Sequence, residues 1–136
     1  MRKLTLLALL FVLFACKAGD PVRATIDEIA EAAEDRDVDD VMKHVAATYP
    51  GRAEIQQSLR QYFFGYKAIN VSISNYKADV SSTTGAVAFE VTFTGVPKTI
   101  GGLDQMLPRA ARYRFDVQLV KEGNEWKVES ADYSQL

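Results

Sequence analysis

The 136-residue chain has one cysteine, one histidine, eight glycines and four prolines, and its formal net charge is −2. A lone cysteine cannot form an internal disulfide, so the chain does not fit the class of small disulfide-stapled secreted domains. Glycine and proline are too scarce for a collagen-like repeat. Sixteen basic residues against 18 acidic ones do not fit a nucleic-acid-binding protein. The length is that of one ordinary domain.

The apolar residues of the chain are concentrated at its start. Twelve of the first 15 residues are apolar, and Arg2 and Lys3 precede the run at residues 4–15. Two cations, an apolar block and a small residue are typical of a secretory signal peptide. As a helix this block would be about 18 Å long, against roughly 30 Å for a bilayer core. The segment therefore predicts export of the chain rather than a transmembrane span.

The end of this segment, Leu13-Phe14-Ala15-Cys16, resembles the bacterial lipobox, in which the cysteine becomes the first mature residue and carries the lipid. The resemblance implies that residues 1–15 are cleaved, that Cys16 is acylated with chains such as palmitate, and that residues 16–20 form a short tether. Lys17 after the cysteine implies delivery to the outer membrane, with the domain facing the periplasm. The alternative is an ordinary signal peptide in which Cys16 has no role.

Removal of residues 1–15 leaves 121 residues with 14 basic and 18 acidic side chains, and so a formal charge of −4. The first part of this mature chain has helical spacing. Asp20 followed by Pro21 predicts a helix start, because the carboxylate caps free N–H groups and proline lacks one. A second short helix is predicted after Asp37. A third helix, with apolar positions that include Tyr62 and Tyr66, follows the break at residues 49–51.

The second part of the chain alternates between apolar and polar residues, which predicts strands with one buried face. The alternation is clear at residues 69–73, 87–93, 113–119 and 126–128, and a further short strand fits residues 78–81. The order predicts an α+β fold, with three N-terminal helices packed on one face of a curved antiparallel sheet of four or more strands. Residues 95–110 are the longest connection, and connections of that length are usually functional or disordered.

Several short motifs of the mature chain resemble the nuclear transport factor 2-like (SnoaL-like) family, which has the cone-shaped cystatin-like fold. They are DVDDVM at residues 37–42, GAVA at 85–88 and WKV at 126–128, together with the aromatic third helix. The resemblance covers residues 21–136 and implies the fold. It implies no single function, since the family includes dehydratases, isomerases, cyclases and non-catalytic binders. It also implies a homodimer through the outer sheet face, where cross-strand ion pairs are the alternative for the charged residues.

In this fold the apolar concave face of the sheet lines the pocket. Alternation along the strands, together with the aromatic third helix, assigns these pocket-lining residues: Phe89, Val91, Phe93, Tyr113, Phe115, Trp126 and Tyr66. On the two long strands this face carries no carboxylate or imidazole.

Asp132 has the same parity as Trp126 and Val128, which makes it a candidate pocket carboxylate. Apolar surroundings would raise the pKa of Asp132 and suit it to general-base catalysis, with Tyr113 or Tyr62 as proton donor. The alternative is that Asp132 lies at a solvated strand end. His44 lies at the edge of a helical stripe, and no further residues complete a catalytic set with it.

Residues 20–40 hold nine acidic and two basic side chains. The run from Asp35 to Asp40 resembles the opening of a calcium loop, but its sixth position is Asp40 rather than glycine and its twelfth is Ala46 rather than glutamate. A solvated helix face with Asp37 as N-cap explains the run better. No metal site and no cofactor are predicted.

The sequence favours an envelope lipoprotein whose domain binds a small apolar ligand or an envelope protein without catalysis. One alternative is a hydrolyase or isomerase that uses Asp132 with a tyrosine. The other is a structural adaptor, for which a closed core without a cavity is expected. Neither the ligand nor the partner is identified by the residues.

Overall fold

A computed structural model describes residues 20–136, and the predicted signal peptide, Cys16 and the tether up to residue 19 lie outside the described residues. The described elements, in chain order, are α1 (Pro21–Glu34), α2 (Val38–Met42), α3 (Arg52–Phe64), β1 (Tyr66–Val80), β2 (Thr84–Pro97), α4 (Leu103–Met106), β3 (Ala110–Glu122) and β4 (Glu125–Gln135). None of these helices has the length and apolar character needed to cross a bilayer.

The first two helices begin where the capping residues predict. The Asp20 carboxylate accepts a hydrogen bond from the Val22 N–H at 2.9 Å, and Pro21 is the first helical residue. The Asp37 carboxylate accepts from the Asp40 N–H at 3.1 Å and starts α2. Both caps satisfy backbone donors that have no partner inside the helix.

The four strands form one antiparallel sheet in the order β1-β2-β3-β4. This confirms the predicted fold class, with helices packed on one face of the sheet. No separate strand forms at residues 78–81: residues 78–80 belong to β1, which continues through an irregularity between Ser74 and Lys77 and ends at Val80. Asn75, at φ 52°, takes the left-handed conformation there, so β1 bends without ending.

The core lies between the helices and the concave face of the sheet. It contains two clusters of buried residues, one near the start of α1 and one near the end of α3. The first cluster comprises Val22, Ile26, Val87, Phe89, Val117, Leu119, Trp126 and Val128. The second comprises Ala32, Val41, Phe63, Tyr66, Ile69, Phe93 and Ala111. A parallel bridge between Val45 and Val128 ties the segment after α2 to β4.

Candidate functional site

A cavity of about 470 Å³ lies between the helices and the concave sheet face. Every residue of its wall is aliphatic or aromatic, and the polar side-chain atoms of the wall are the hydroxyls of four tyrosines. The helices and loops contribute Ile26, Ile29, Ala30, Ala33, Val41, Val45, Tyr49, Ile55, Leu59, Tyr62 and Phe63. The sheet contributes Ile69, Val71, Ile73, Phe89, Val91, Phe93, Tyr113, Phe115, Val117, Val128, Ala131 and Tyr133.

Five of the seven predicted pocket residues are in this wall, namely Phe89, Val91, Phe93, Tyr113 and Phe115. Trp126 is buried beside Gly85 and Val22 in the first core cluster and does not line the cavity. Tyr66 is also absent from the wall, because it is fully buried behind it. Its assignment to the third helix is wrong, since α3 ends at Phe64 and Tyr66 is the first residue of β1.

The pocket placement of Asp132 is wrong, because β4 contains a bulge. Leu119 pairs with Val128 and Gln118 pairs with Ser130, so Glu129 is an extra residue without its own partner. One extra residue reverses the alternation of every side chain beyond it. Asp132 therefore pairs with Asp116 on the outer sheet face and is exposed.

The same bulge brings two unpredicted residues into the cavity wall. Ala131 pairs with Val117 and Tyr133 pairs with Phe115, so both face the concave side. The adjacent polar residues Glu129 and Ser130 break the alternation of the last strand, and this break is the signal in the sequence that points to the bulge.

A row of aromatic rings crosses three neighbouring strands on the wall. The rings of Phe89 and Phe115 are stacked with centroids 5.5 Å apart and planes 10° apart. Those of Phe115 and Tyr133 are 5.6 Å apart at 27°. Tyr133 is 69% exposed and so lies where the row meets solvent. These rings give one side of the cavity a continuous aromatic lining.

Tyrosine hydroxyls form the polar part of the site. The Tyr66 hydroxyl donates to the Pro108 carbonyl oxygen at 2.6 Å, and its oxygen lies 3.4 Å from the Tyr62 hydroxyl oxygen. Burial raises the pKa of Tyr62, and it also raises the pKa of Tyr66 and of Tyr113. All three phenols therefore stay protonated at neutral pH.

His44 and the acidic run lie outside the cavity wall. The His44 Nε2 is 3.4 Å from the Glu28 carboxylate, and the His44 carbonyl accepts from the Val128 N–H at 2.7 Å. In the acidic run, Asp40 contacts the Lys43 ammonium at 2.6 Å, and that contact lowers the pKa of Asp40. Across residues 20–136, no three His, Cys, Asp or Glu side chains are grouped so that they could hold a metal ion.

The outer sheet face carries one cross-strand ion pair among the described residues. Glu90 on β2 lies 3.6 Å from the Arg112 guanidinium on β3 and accepts a hydrogen bond from Asn75 on β1. Exposed pairs of this kind contribute little to stability. The homodimer through this face stays a prediction.

Solved structures of other proteins share this arrangement of helices and strands. A candidate scytalone dehydratase from Novosphingobium aromaticivorans is 13% identical, matches 85% of this chain and 82% of its own, and has a TM-score of 0.75. A candidate dehydratase of the nuclear transport factor 2-like family from Streptomyces avermitilis is 15% identical over 85% of this chain and 94% of its own, with a TM-score of 0.70. A protein of unknown function with a cystatin-like fold from Nostoc punctiforme is 12% identical over 85% and 89%, with a TM-score of 0.68.

No protein-family model and no curated protein sequence matches the chain. The structural likenesses, at such low identity, establish the fold. The chain has the cystatin-like fold of nuclear transport factor 2-like proteins, a fold that supports many unrelated functions.

Proposed function

We propose that the protein is a lipid-anchored component of the cell envelope whose domain binds a small apolar ligand without catalysing a reaction. The observation that carries the proposal is the cavity of about 470 Å³ with its aliphatic and aromatic wall. Ligand pockets in proteins typically have volumes of about 300 to 1,000 Å³ and are lined mostly by apolar side chains. Transfer of an apolar ligand from water into such a cavity is favourable because it removes apolar surface from water.

The placement of ionisable groups supports binding over catalysis. General acid–base chemistry needs a group whose pKa lies near the working pH and whose atoms reach the ligand. The Asp132 carboxylate is on the opposite face of the sheet, and the cavity tyrosines Tyr62 and Tyr113 have pKa values above their ordinary range. The dehydratase names belong to the two similar proteins, and the Asp132 mechanism has no support in this chain.

The cavity also argues against the adaptor hypothesis, for which a closed core is expected.

The proposed lipid anchor at Cys16 rests on the lipobox resemblance alone. It predicts that cells fed radiolabelled palmitate incorporate label into the wild-type protein and that the Cys16→Ala variant carries none. Equal labelling of both proteins would contradict the anchor and leave the ligand proposal standing.

A neutral fluorescent probe tests the binding proposal on the chain of residues 17–136. All members of both core clusters lie between residues 22 and 128, so this chain retains the complete core. N-phenyl-1-naphthylamine should bind and shift its emission to shorter wavelength. Ala131→Trp fills the cavity from β4 and should abolish this change. Ser130→Trp, on the same strand but exposed on the outer face, is the matched control and should bind like wild type.

Two results would contradict the binding proposal. One is a wild-type protein that gives no more fluorescence than an equal concentration of an unrelated folded protein. The other is equal loss of binding in the two tryptophan variants, because that would place the probe elsewhere or reflect misfolding.

A further inference from the structure

A groove with charged walls lies at the ends of α1 and α3, beside the apolar cavity. Its volume is about 350 Å³, and its lining includes Asp35, Arg36, Arg60, Phe63, Phe64 and Lys98. This cationic groove carries three basic side chains and one acidic side chain. Phe63 also borders the cavity, whereas none of the charged residues does. The groove is therefore positive in a chain whose formal net charge is −2.

The three cations of the groove come from three different parts of the chain. Arg36 follows the end of α1, and its guanidinium donates a hydrogen bond to the Tyr66 carbonyl oxygen at 2.7 Å. Arg60 is an exposed residue near the end of α3. Lys98 follows β2, where its backbone N–H donates to the Gly65 carbonyl oxygen at 2.7 Å. The guanidinium of Arg36 and the backbone of Lys98 are therefore both held at the junction between α3 and β1.

No described acidic side chain forms an ion pair with these three cations. The ion pairs of residues 20–136 involve the basic residues Arg23, Lys43, His44, Arg112 and Lys127. Asp35, the one carboxylate of the groove wall, has no partner among them. Like charges along one wall repel each other, and an anion placed between them offsets that repulsion. The groove is thus electrostatically complementary to an anion.

The exposed ring of Phe64 gives the groove an apolar side. Phe64 is the last residue of α3 and is 63% exposed. The Lys98 ammonium lies 4.7 Å from the centroid of this ring, so a cation and an apolar surface lie side by side. An anion with an aromatic body can contact both, because its charge meets the ammonium while its ring packs against Phe64.

We propose that the cationic groove binds the oxyanion group of a small aromatic molecule, such as a phosphate monoester or a carboxylate. Guanidinium groups match oxyanions through paired N–H donors, and an ammonium group adds a point charge. The Tyr66 carbonyl occupies one N–H group of Arg36, and a guanidinium has further N–H groups for a ligand. The site is independent of the proposed apolar ligand, since none of its charged residues lines the cavity.

Phenyl phosphate, phenol and inorganic phosphate test the proposal on the chain of residues 17–136. Phenyl phosphate has both the ring and the oxyanion, whereas each of the other two has only one of them. NMR titration at low ionic strength limits the screening of exposed charges, and the amide signals of Gly65 and Lys98 report on the groove. At these signals phenyl phosphate should bind about twofold to tenfold more tightly than inorganic phosphate, and phenol should bind more weakly than either.

Substitutions in the groove test the two parts of the ligand separately. Arg60→Gln should weaken phenyl phosphate about threefold to tenfold, because it removes one charged contact. Arg114→Gln is the matched control: it makes the same change in net charge, and Arg114 is exposed on β3, opposite Ser134 and outside the groove. Phe64→Ala should weaken phenyl phosphate about twofold to tenfold and leave inorganic phosphate unchanged.

Three results would overturn the proposal. Equal weakening by Arg60→Gln and Arg114→Gln would mean that net charge, rather than the groove, attracts the anion. Phenyl phosphate that leaves the Gly65 and Lys98 signals unshifted does not bind there. Binding to phosphatidylglycerol vesicles that Arg60→Gln abolishes, without binding of phenyl phosphate, would assign the groove to a membrane surface instead.

The cavity variant Ala131→Trp separates this inference from the proposed function. It fills the cavity and leaves the groove intact, so it should bind phenyl phosphate like wild type. Loss of phenyl phosphate binding in this variant would place the ligand in the cavity and contradict the groove. A chain that binds phenyl phosphate in the groove but no apolar probe would contradict the proposed function alone.

Discussion

Replacement of Gly95 by alanine is expected to destabilise the domain, because the added Cβ atom would collide with two buried aromatic rings. A Cβ atom at this position would lie 2.6 and 2.7 Å from two Tyr66 ring carbons and 2.9 Å from a Phe93 ring carbon. Carbon atoms in contact prefer separations of about 3.5 to 4.0 Å, so the Tyr66 ring would have to move by about 1 Å. Tyr66 is fully buried and its hydroxyl is held by Pro108 at 2.6 Å, so little movement is open to it.

The magnitude follows from two opposing contributions. Overpacking of a well-packed core costs about 1 to 3 kcal/mol, and the restraints on Tyr66 favour the upper end. Alanine in a strand gains about 0.5 to 1 kcal/mol over glycine through the lower entropy of its unfolded chain. The expected net loss is about 2 kcal/mol. For a urea dependence of about 2 kcal/mol per molar, the unfolding midpoint falls by roughly 1 M.

Urea unfolding of the chain of residues 17–136, followed by circular dichroism, measures this loss. Gly85→Ala on the same strand is the matched control, because the nearest atom to a Cβ there is 3.5 Å away, an ordinary contact. Gly85→Ala should be as stable as wild type or slightly more so. Equal midpoints for the two variants would refute the reasoning, since Tyr66 would then not be packed against Gly95.

Three further predictions concern ionisable side chains. Asp132→Asn should leave probe binding unchanged and stability within about 0.5 kcal/mol, because Asp132 is exposed on the outer face; loss of probe binding in this variant would contradict that placement. Asp20→Ala should lower the free energy of unfolding by about 1 to 2 kcal/mol, because it removes the cap of α1 and the hydrogen bond to Tyr76. The control Asp27→Ala breaks only an exposed pair with Arg23 and should lower it by about 0.5 kcal/mol or less. Equal losses in urea unfolding would contradict the role of Asp20 as a cap. Burial raises the pKa of Tyr62, Tyr66 and Tyr113, so the folded chain holds these protons more tightly than the unfolded chain. The contribution of these phenols to folding stability is therefore complete below the unfolded pKa of about 10, and it is lost as the pH rises beyond that value. The urea midpoint should fall between about pH 8 and about pH 11, and less so in Tyr62→Phe; an unchanged midpoint in wild type would contradict the burial of these phenols.

The parts of the fold that depend on local chemistry could be predicted from the sequence. Asp20, Pro21 and Asp37 define helix starts because capping involves residues one to three positions away. The strands were predictable because alternation reports which face is buried. Their full lengths were not, since pairing with a neighbour carries β1 past the irregularity at Asn75 to Val80.

The errors arise where tertiary pairing overrides a local pattern. Tyr66 follows Tyr62 at helical spacing, but it pairs with Pro97 at the start of β1. Asp132 has the parity of Trp126 only without the bulge at Glu129, and that bulge depends on the register with β3. The apolar chemistry of the cavity wall could be predicted from residue types. The volume of the cavity could not, because it depends on the separation between the helices and the sheet.

Methyl NMR with naphthalene as ligand tests the central claim, that the concave cavity binds small apolar molecules. The account predicts concentration-dependent shifts of the methyl signals of Ile29, Val91 and Ala131, which line the cavity from α1, β2 and β4. It predicts no shift for Val80 and Val96, which are exposed and outside the wall. Shifts confined to Val80, Val96 and other exposed methyl groups, or no shifts at the solubility limit of naphthalene, would contradict the account.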